Sequence, residues 1–271
     1  MSTNQDQIEY WNERAGNTWA ELQDRLDTML APLTAAGLAA ANVQASERVL
    51  DVGCGCGDTS VALANQGAKV VGVDVSGPML ARARERSQAV EFIQADAAEH
   101  APSQPYDVIF SRFGVMFFND PFAAFSQLYK TLNADGRMLF VCWQPPSNNP
   151  WMAIAGRAIQ PFMPPPDAPA NPRAPGPFAF AEPAYVEEIL TGAGFQDISI
   201  ESFQCDLKIA DTLPDAVQFQ TRIGPAARAV AELAGDERDA ALNAVGEAFR
   251  PYLTDQGISL GASVWLVSAK A

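Results

Sequence analysis

Between residues 48 and 143 the chain alternates short apolar runs with stretches of helical pattern, and no other feature limits its fold as tightly. The apolar runs fall at 48–52, 69–73, 90–94, 106–111 and 138–143, with helical stretches at 59–66, 77–87 and 121–132. Each run has the length of one strand and is apolar at consecutive rather than alternate positions, so both of its faces must be covered. Helices between successive strands give that cover when the strands run parallel and each helix crosses back over the sheet. The expected fold class is therefore α/β, a mostly parallel sheet with helices on both faces. Asn133, Asp135 and Gly136 place a turn at 133–136, just before the fifth strand.

Outside that region the texture changes. Residues 8–33 carry Tyr10, Trp11, Trp19, Leu22, Leu26 and Leu30 among acids and amides. From Trp19 onward the apolar positions recur at three and four residues, as on one helix face. Two tryptophans so early imply an arm that docks, either into the core or over a ligand. The stretch 145–183 holds most of the prolines, Pro164-Pro165-Pro166 among them, and cannot sustain a regular sheet or a long helix. It fits one helix at 151–163, and Trp151, Phe162, Phe178 and Phe180 are too apolar to leave in water. A helix at 182–192, a strand at 198–203, a helical excursion at 213–249 and a last strand at 263–269 follow. The expected organisation is an N-terminal helical arm that forms part of a lid (1–40), a cofactor-binding core (41–144) and a proline-rich insertion serving as a substrate lid (145–183). A core helix and strand (184–203), a helical lid insertion (204–261) and a final core strand (262–271) complete it.

The charge balance narrows the partners. With 32 acidic against 18 basic residues the net charge is −14, which opposes binding along a phosphate backbone, and no Lys/Arg run offers a local groove. Arg82, Arg84 and Arg86 alternate within one helical stretch and read as a solvated face. No apolar run reaches the roughly 20 residues of a membrane helix, and the polar, acidic start lacks the order of a signal peptide. A cytoplasmic protein with a small-molecule substrate, and with neither nucleic acid nor membrane as partner, is expected; the sequence selects no oligomeric state. Cys54, Cys56, Cys142 and Cys205 are too sparse for a disulfide scaffold. Cys54 and Cys56 lack companions for a zinc site, so no metal is expected. A single histidine, His100, cannot complete a Ser-His-acid triad. It precedes Ala101-Pro102, as in an exposed loop, and stands as a candidate general base.

The run Val49-Leu50-Asp51-Val52-Gly53-Cys54-Gly55-Cys56-Gly57-Asp58-Thr59 sets a glycine-rich turn between a strand and a helix. Glycines there admit positive φ and let a ligand approach the main chain closely. A dinucleotide loop of the form Gly-x-Gly-x-x-Gly would place glycine at position 58, where this chain has aspartate. A pyrophosphate would meet Asp58 at the helix N-terminus, with Asp51 close by, where an anion favours bare amides. The ligand suited to this end carries positive charge, as the ammonium and sulfonium of S-adenosylmethionine do and NAD does not. Asp74 closes the second strand about 20 residues on, where a carboxylate accepts both ribose hydroxyls and repels a 2′-phosphate. Its neighbour Ser76 reads as a helix cap. Asp96, after the third strand, can reach an adenine amino group while the Ala97 amide meets a ring nitrogen.

Together these stretches resemble the cofactor domain of the Rossmann-like (class I) S-adenosylmethionine-dependent methyltransferases, the broad family that includes ubiquinone and menaquinone biosynthesis enzymes. The likeness is carried by Val49 to Gly55, Val71-Gly72-Val73-Asp74-Val75-Ser76, Ala95-Asp96-Ala97, Tyr106-Asp107-Val108-Ile109-Phe110-Ser111 and Leu132-Asn133-Ala134-Asp135-Gly136-Arg137. It implies a seven-stranded sheet whose last strand runs antiparallel to the others. Gly192-Ala193-Gly194-Phe195 before the sixth strand fits the same pattern, while Cys56 stands where Thr or Ser is more usual. Carried over, Gly53, Cys54 and Gly55, beside Asp51, would line the methionine end. Asp74 and Val75 would meet the ribose, Asp96 and Ala97 the adenine, with Met79 packed on the ring. Ser111 and Arg112 would follow the fourth strand, close to the reacting methyl. The run Ser111 to Phe118 resembles a subgroup of bacterial small-molecule methyltransferases.

What the resemblance implies is in-line methyl transfer to an O, N or C nucleophile of a small, partly apolar molecule within an enclosed pocket. Tyr10, Trp11, Trp19, Phe113, Phe117, Trp151 and Phe178 are the candidate lining. The cofactor is already activated, so a protein base is optional, and Arg112 and His100 are the only candidate contributors to catalysis. Arg112, directly after a buried strand, needs a partner: a cofactor or substrate carboxylate, Asp120 or Glu99. Intact cofactor motifs serve equally a non-catalytic S-adenosylmethionine or S-adenosylhomocysteine binding protein. A short-chain dehydrogenase would need Tyr-x-x-x-Lys beyond the fourth strand, and the sequence has none there.

Overall fold

The computed structural model describes residues 4–164 and 171–271, so Pro165 and Pro166 of the proline run lie outside the described residues. The chain divides into two compact units. The first comprises Met1–Trp143, Arg173–Phe203 and Val264–Ala271, and the second Gln144–Pro172 and Gln204–Ser263.

The first unit opens with α1 (Gln5–Glu9), a π-helical turn (Tyr10–Arg14), α2 (Ala15–Glu21) and α3 (Gln23–Ala41). The N-terminal segment thus forms several helical pieces rather than one. The alternating region follows as β1 (Arg48–Val52), α4 (Asp58–Asn65), β2 (Lys69–Asp74), α5 (Gly77–Arg86), β3 (Glu91–Gln94), β4 (Tyr106–Arg112), α6 (Pro121–Lys130) and β5 (Leu132–Trp143). Beyond it come α7 (Pro150–Ile159), α8 (Pro183–Ala193), β6 (Gln196–Ala210), α9 (Leu213–Gln220), α10 (Gly224–Ala231), α11 (Gly235–Phe249), β7 (Leu253–Thr254) and β8 (Gly257–Lys270).

The sheet order is β3-β2-β1-β4-β5-β8-β6. β1 through β5 pair in parallel, and β8 runs antiparallel to β5 from Arg137↔Lys270 to Trp143↔Val264. The expected seven strands gain an eighth, the two-residue β7, which pairs with β8. Consecutive burial along β1 and β4 matches the unbroken apolar runs that place these strands at the centre. Helix starts are fixed locally: Ser76 Oγ accepts from Met79 N, Asp120 from Ala123 N and Thr212 from Asp215 N. Each is followed by a proline in the first turn, where a missing N–H costs nothing.

Two expected boundaries shift for identifiable reasons. The turn at 133–136 is absorbed into β5 as an irregularity, with Tyr106 pairing Leu132 and Val108 pairing Arg137 while the residues between loop out. The helical excursion at 213–249 breaks into three helices because Gly224 and Gly235 take positive φ at the starts of α10 and α11.

One core cluster of the first unit joins Val49, Leu63, Leu80, Phe92, Val108, Phe110 and Leu139. A second set of rings, Phe125, Phe140, Phe180 and Tyr185, meets at edge-to-face and tilted angles. The second unit has its own core, in which Trp151, Met152, Phe219, Val245 and Phe249 are buried. Its buried Asn149 spans two chain passages: Nδ2 donates to Gln144 O and Ser263 O, and Oδ1 accepts from Ser263 N. Among the described residues no helix is long and apolar enough to cross a membrane.

Candidate functional site

The turn after β1 lies at the carboxyl edge of the parallel strands, where open α/β sheets bind ligands. Gly53, Gly55 and Gly57 have φ of 67°, 54° and 84°, a region that side chains rarely tolerate. A Cβ on Gly53 would lie 2.6 Å from Gly114 Cα, and one on Gly55 2.7 Å from Met79 Cε. Backbone groups tie the turn to its neighbour, for Gly53 N and Cys54 N both donate to Val73 O. Asp74, the last residue of β2, accepts from Gly55 N through Oδ2 at 2.8 Å and from Ser76 N through Oδ1 at 2.8 Å. Burial pushes its carboxyl above the ordinary value, against the pull of the Ser76, Gly55 and Val75 backbone amides.

Asp51 is fully buried, and its Oδ2 accepts from the hydroxyls of Thr59 and Ser60 at 2.7 and 2.6 Å. Its Oδ1 has no hydrogen-bond partner among the described residues. Burial pushes its carboxyl up to about 6, opposed chiefly by the Ser60 and Thr59 hydroxyls. Burial likewise raises the Cys54 and Cys56 thiols, the latter to about 12, which makes them inert neighbours rather than thiolates.

Arg112 does not turn to Asp120 or Glu99. Its Nη1 pairs with Asp58 Oδ2 at 2.7 Å and also donates to the Thr34 hydroxyl. Arg86 approaches the other oxygen of Asp58 at 3.7 Å and pairs with Asp27 at 3.0 Å. An ion-pair chain therefore links β4, α4, α5 and α3, mostly shielded from solvent, with side-chain exposures of 14% and 23% for Arg112 and Asp58. The expectation that Asp58 presents negative charge to the ligand is corrected by this pairing, because two arginines compensate it. Asp51 and Asp74 are the carboxylates that remain.

Ser111 is the penultimate residue of β4 rather than part of the following loop. Its buried hydroxyl donates to Val52 O at 2.8 Å and accepts from Gly114 N at 3.2 Å. It fastens the ends of β4 and β1 together. Phe113 comes next with φ of 68°, a strained value for an aromatic residue, and stacks on Trp143 at 4.2 Å with planes 3° apart. Trp11 meets Phe117 edge to face at 5.3 Å and touches Tyr10 and Trp19 in the same manner, so four of the expected aromatic lining residues form one cluster. Phe178 lies in a segment whose Gly176 N donates to Met116 O, which brings it back alongside the turn after β4. Trp151 instead belongs to the core of the second unit.

Asp96 accepts from Ala98 N through Oδ1 and from the Asn4 side chain through Oδ2, at 2.9 and 3.0 Å. Ala97 and Met79 are buried and Val75 is half-buried. His100 lies beside the start of β4. It is half-buried, and its Nε2 shares a 2.9 Å hydrogen bond with the hydroxyl of Tyr106, the first residue of β4. That is the amino edge of the sheet, roughly 20 Å along the strand from Arg112 at about 3.3 Å per residue. The structure therefore does not bring His100 to the glycine turn at the carboxyl edge. Sequence reasoning missed Asn4 and Asn12 of the arm, which hydrogen-bond to the acidic turns, because an isolated asparagine carries no local signal of a distant partner.

The family described as a methyltransferase domain matches residues 49–136. Over 110 residues the chain is 37% identical to a demethylmenaquinone methyltransferase of Thermus thermophilus, covering 38% of this chain and 50% of the relative. Over 130 residues it is 34% identical to a trans-aconitate 2-methyltransferase of Klebsiella pneumoniae, covering 44% of this chain and 51% of the relative. The chain thus spans about half the length of these curated relatives. The fold resembles that of phosphoethanolamine N-methyltransferase 2 from Haemonchus contortus, solved with S-adenosyl-L-methionine, at a TM-score of 0.60 and 19% identity over 100% of this chain and 60% of that one.

Proposed function

We propose that the chain, which matches a methyltransferase domain at residues 49–136, is a Rossmann-like, class I S-adenosylmethionine-dependent methyltransferase and that it methylates an O, N or C nucleophile of a small, partly apolar molecule. The observation that carries this reading is a turn of three positive-φ glycines beside Asp51 and Asp74, while the nearby Arg112 and Arg86 are already engaged by Asp58. A pyrophosphate has no counter-charge waiting there; a cationic ligand does. The buried Oδ1 of Asp51 has a hydrogen-bonding position to fill. An ionised carboxylate offers about four lone-pair sites. Three backbone amides, of Gly55, Ser76 and Val75, act on Asp74, which leaves lone-pair capacity for a ribose hydroxyl.

S-adenosylmethionine, when bound, supplies a methyl already activated by its sulfonium. The chain's own residues then bind, orient and exclude water. We assign the methionine end to Gly53, Cys54 and Gly55 with Asp51, the ribose to Asp74 and Val75, and the adenine to Asp96, Ala97 and Met79. Ser111 and Arg112 act behind the site: the first holds Gly114 against the β1 end, the second fixes the N-terminus of α4 through Asp58. Tyr10, Trp11, Trp19, Phe113 and Phe117 form the apolar wall. Acceptor choice we assign to the arm (1–40), which lies outside the family match. Relatives named for demethylmenaquinone and trans-aconitate methylation support a small acceptor. The net charge of −14 speaks against a nucleic-acid substrate.

Calorimetry with S-adenosylhomocysteine and with NAD, followed by incubation of labelled cofactor with metabolite pools, tests the reading. Binding of the first alone and label transfer to a small product are expected. Tight NAD binding without S-adenosylhomocysteine binding would overturn it, and cofactor binding with no product from any pool would make the chain a binding protein. Within the site, Asp74→Ala is expected to weaken S-adenosylhomocysteine binding by about 1.5–3 kcal/mol, since two hydrogen bonds to an ionised group are lost. Unchanged affinity with the fold intact removes Asp74 from the ribose contact.

A further inference from the structure

We propose that Asn12 is a positioning residue of the cofactor site, fastening the turn that carries Asp74 so that docking of the N-terminal arm sets the orientation of that carboxylate. The inference rests on the assignment of Asp74 to the ribose. The turn from Asp74 to Gly77 follows the end of β2, where ladder hydrogen bonds stop and backbone groups need other partners. Asn12 supplies one on each side, and the Gln94 side chain also donates to Val75 O at 3.1 Å. Its Nδ2 donates to Val75 O at 2.9 Å, and its Oδ1 accepts from Gly77 N at 2.9 Å. One carboxamide thereby does for this turn what a neighbouring strand's backbone would do, from 65 residues away along the chain at the Gly77 bond.

Three further contacts make the seat specific. The buried Ser76 hydroxyl donates to Trp11 O at 2.9 Å, the residue next to Asn12. Asn12 Nδ2 also donates to Ile8 O at 2.7 Å, which holds the carboxamide within its own helical turn. Gly16 lets the arm approach, since a Cβ there would lie 2.0 Å from Trp11 O and 2.4 Å from Ser76 Oγ. The same turn presents Asp74, whose Oδ1 is held by Ser76 N between the two groups that Asn12 binds. Without Asn12, Gly77 N loses its acceptor and the Asp74–Gly77 turn loosens around Ser76. The carboxylate then samples orientations other than the one braced by Gly55 N. The Asn4 contact to Asp96 gives the arm a second fastening on the other acidic turn, so the arm contacts both turns assigned to adenosine.

A double-mutant cycle on S-adenosylhomocysteine affinity tests this, using the full chain with Asn12→Ala, Asp74→Ala and both together. Asn12→Ala alone is expected to weaken binding about tenfold, and less than about twofold when Asp74 is already alanine. The cofactor KM should rise by a larger factor than kcat falls, which a general loss of folded protein would not produce. Where Asn12→Ala does not fold, Asn12→Ser serves, because a hydroxyl stays polar but cannot span both Val75 O and Gly77 N. Losses that multiply in the double variant, or an Asn12 variant that binds like the wild type, would overturn the assignment. Failure of the wild-type chain to bind S-adenosylhomocysteine would instead remove the methyltransferase reading on which it rests.

Discussion

Gly53→Ala is expected to destabilise the fold by about 2–5 kcal/mol and to reduce S-adenosylhomocysteine affinity by at least about 100-fold. Two independent penalties act at this residue. Its φ of 67° lies in the left-handed region, where any L side chain costs roughly 1–2 kcal/mol. The added methyl would also lie 2.6 Å from Gly114 Cα, and a Cβ on Gly114 would lie 2.5 Å from Val52 O. Both neighbours are backbone, so relief requires moving the ends of β1 and β4 rather than turning a side chain, at roughly 1–3 kcal/mol. That movement would displace Gly53 N from Val73 O and reshape the turn assigned to the methionine end. Gly156→Ala is the control. It lies within α7 with nothing within 4 Å of the new methyl, and should stabilise by about 0.5–1 kcal/mol. Urea denaturation and calorimetry on both variants decide the matter, and a Gly53→Ala protein that melts and binds like the wild type would refute the close-approach argument.

Asp51→Asn is expected to shift stability relative to the wild type by about 3 kcal/mol in the variant's favour between pH 4 and pH 8. Burial lifts the folded carboxyl from 3.8 to about 6. Below 3.8 both states carry the proton and the folded state keeps its full stability. Between 3.8 and about 6 the unfolded chain has released a proton that the folded chain still binds, so stability falls as pH rises. Above about 6 the loss levels off at about 3 kcal/mol, the free-energy equivalent of that separation. Asparagine cannot ionise and lacks this slope. Its amide donor carries a constant cost where Oδ1 has no partner, but a constant cost does not vary with pH. Cofactor affinity of the wild type should rise through the same pH window as the carboxylate ionises beside the cationic methionine end, and the variant's should not. Parallel stability curves from pH 4 to pH 8 would mean that Asp51 does not titrate there.

The central strands were legible because burial on both faces leaves consecutive apolar residues, as in Val49-Leu50 and Val108 to Phe110. A helix start was legible where a capping residue precedes a proline, at Ser76-Gly77-Pro78. The candidate site was legible in its glycines and strand-end acids, because residue types that fit a tight strand-to-helix turn are marked locally. The proline-rich stretch was not. Its residues up to Pro172 belong to the second unit and those from Arg173 to the first, and nothing in the composition of 145–183 marks that division.

The sequence by itself determined the parallel sheet, the positive-φ turn and the carboxylates at the ends of β1 and β2. Each follows from backbone sterics, hydrophobic pattern and local hydrogen bonding, which act over a turn or a strand. Only the tertiary structure decided which charges pair with one another. Asp58 and Arg112 are 54 residues apart and compensate each other, so a carboxylate that reads as exposed at a helix start is neutralised. His100 reads as a free loop residue, yet it shares a hydrogen bond with Tyr106 at the amino edge of the sheet, away from the glycine turn. Asn12 reads as one amide among many, yet it bonds to both sides of the Asp74 turn. Polar side chains find their partners through the folded path of the chain, and no local propensity encodes a hydrogen bond whose other half lies fifty residues on.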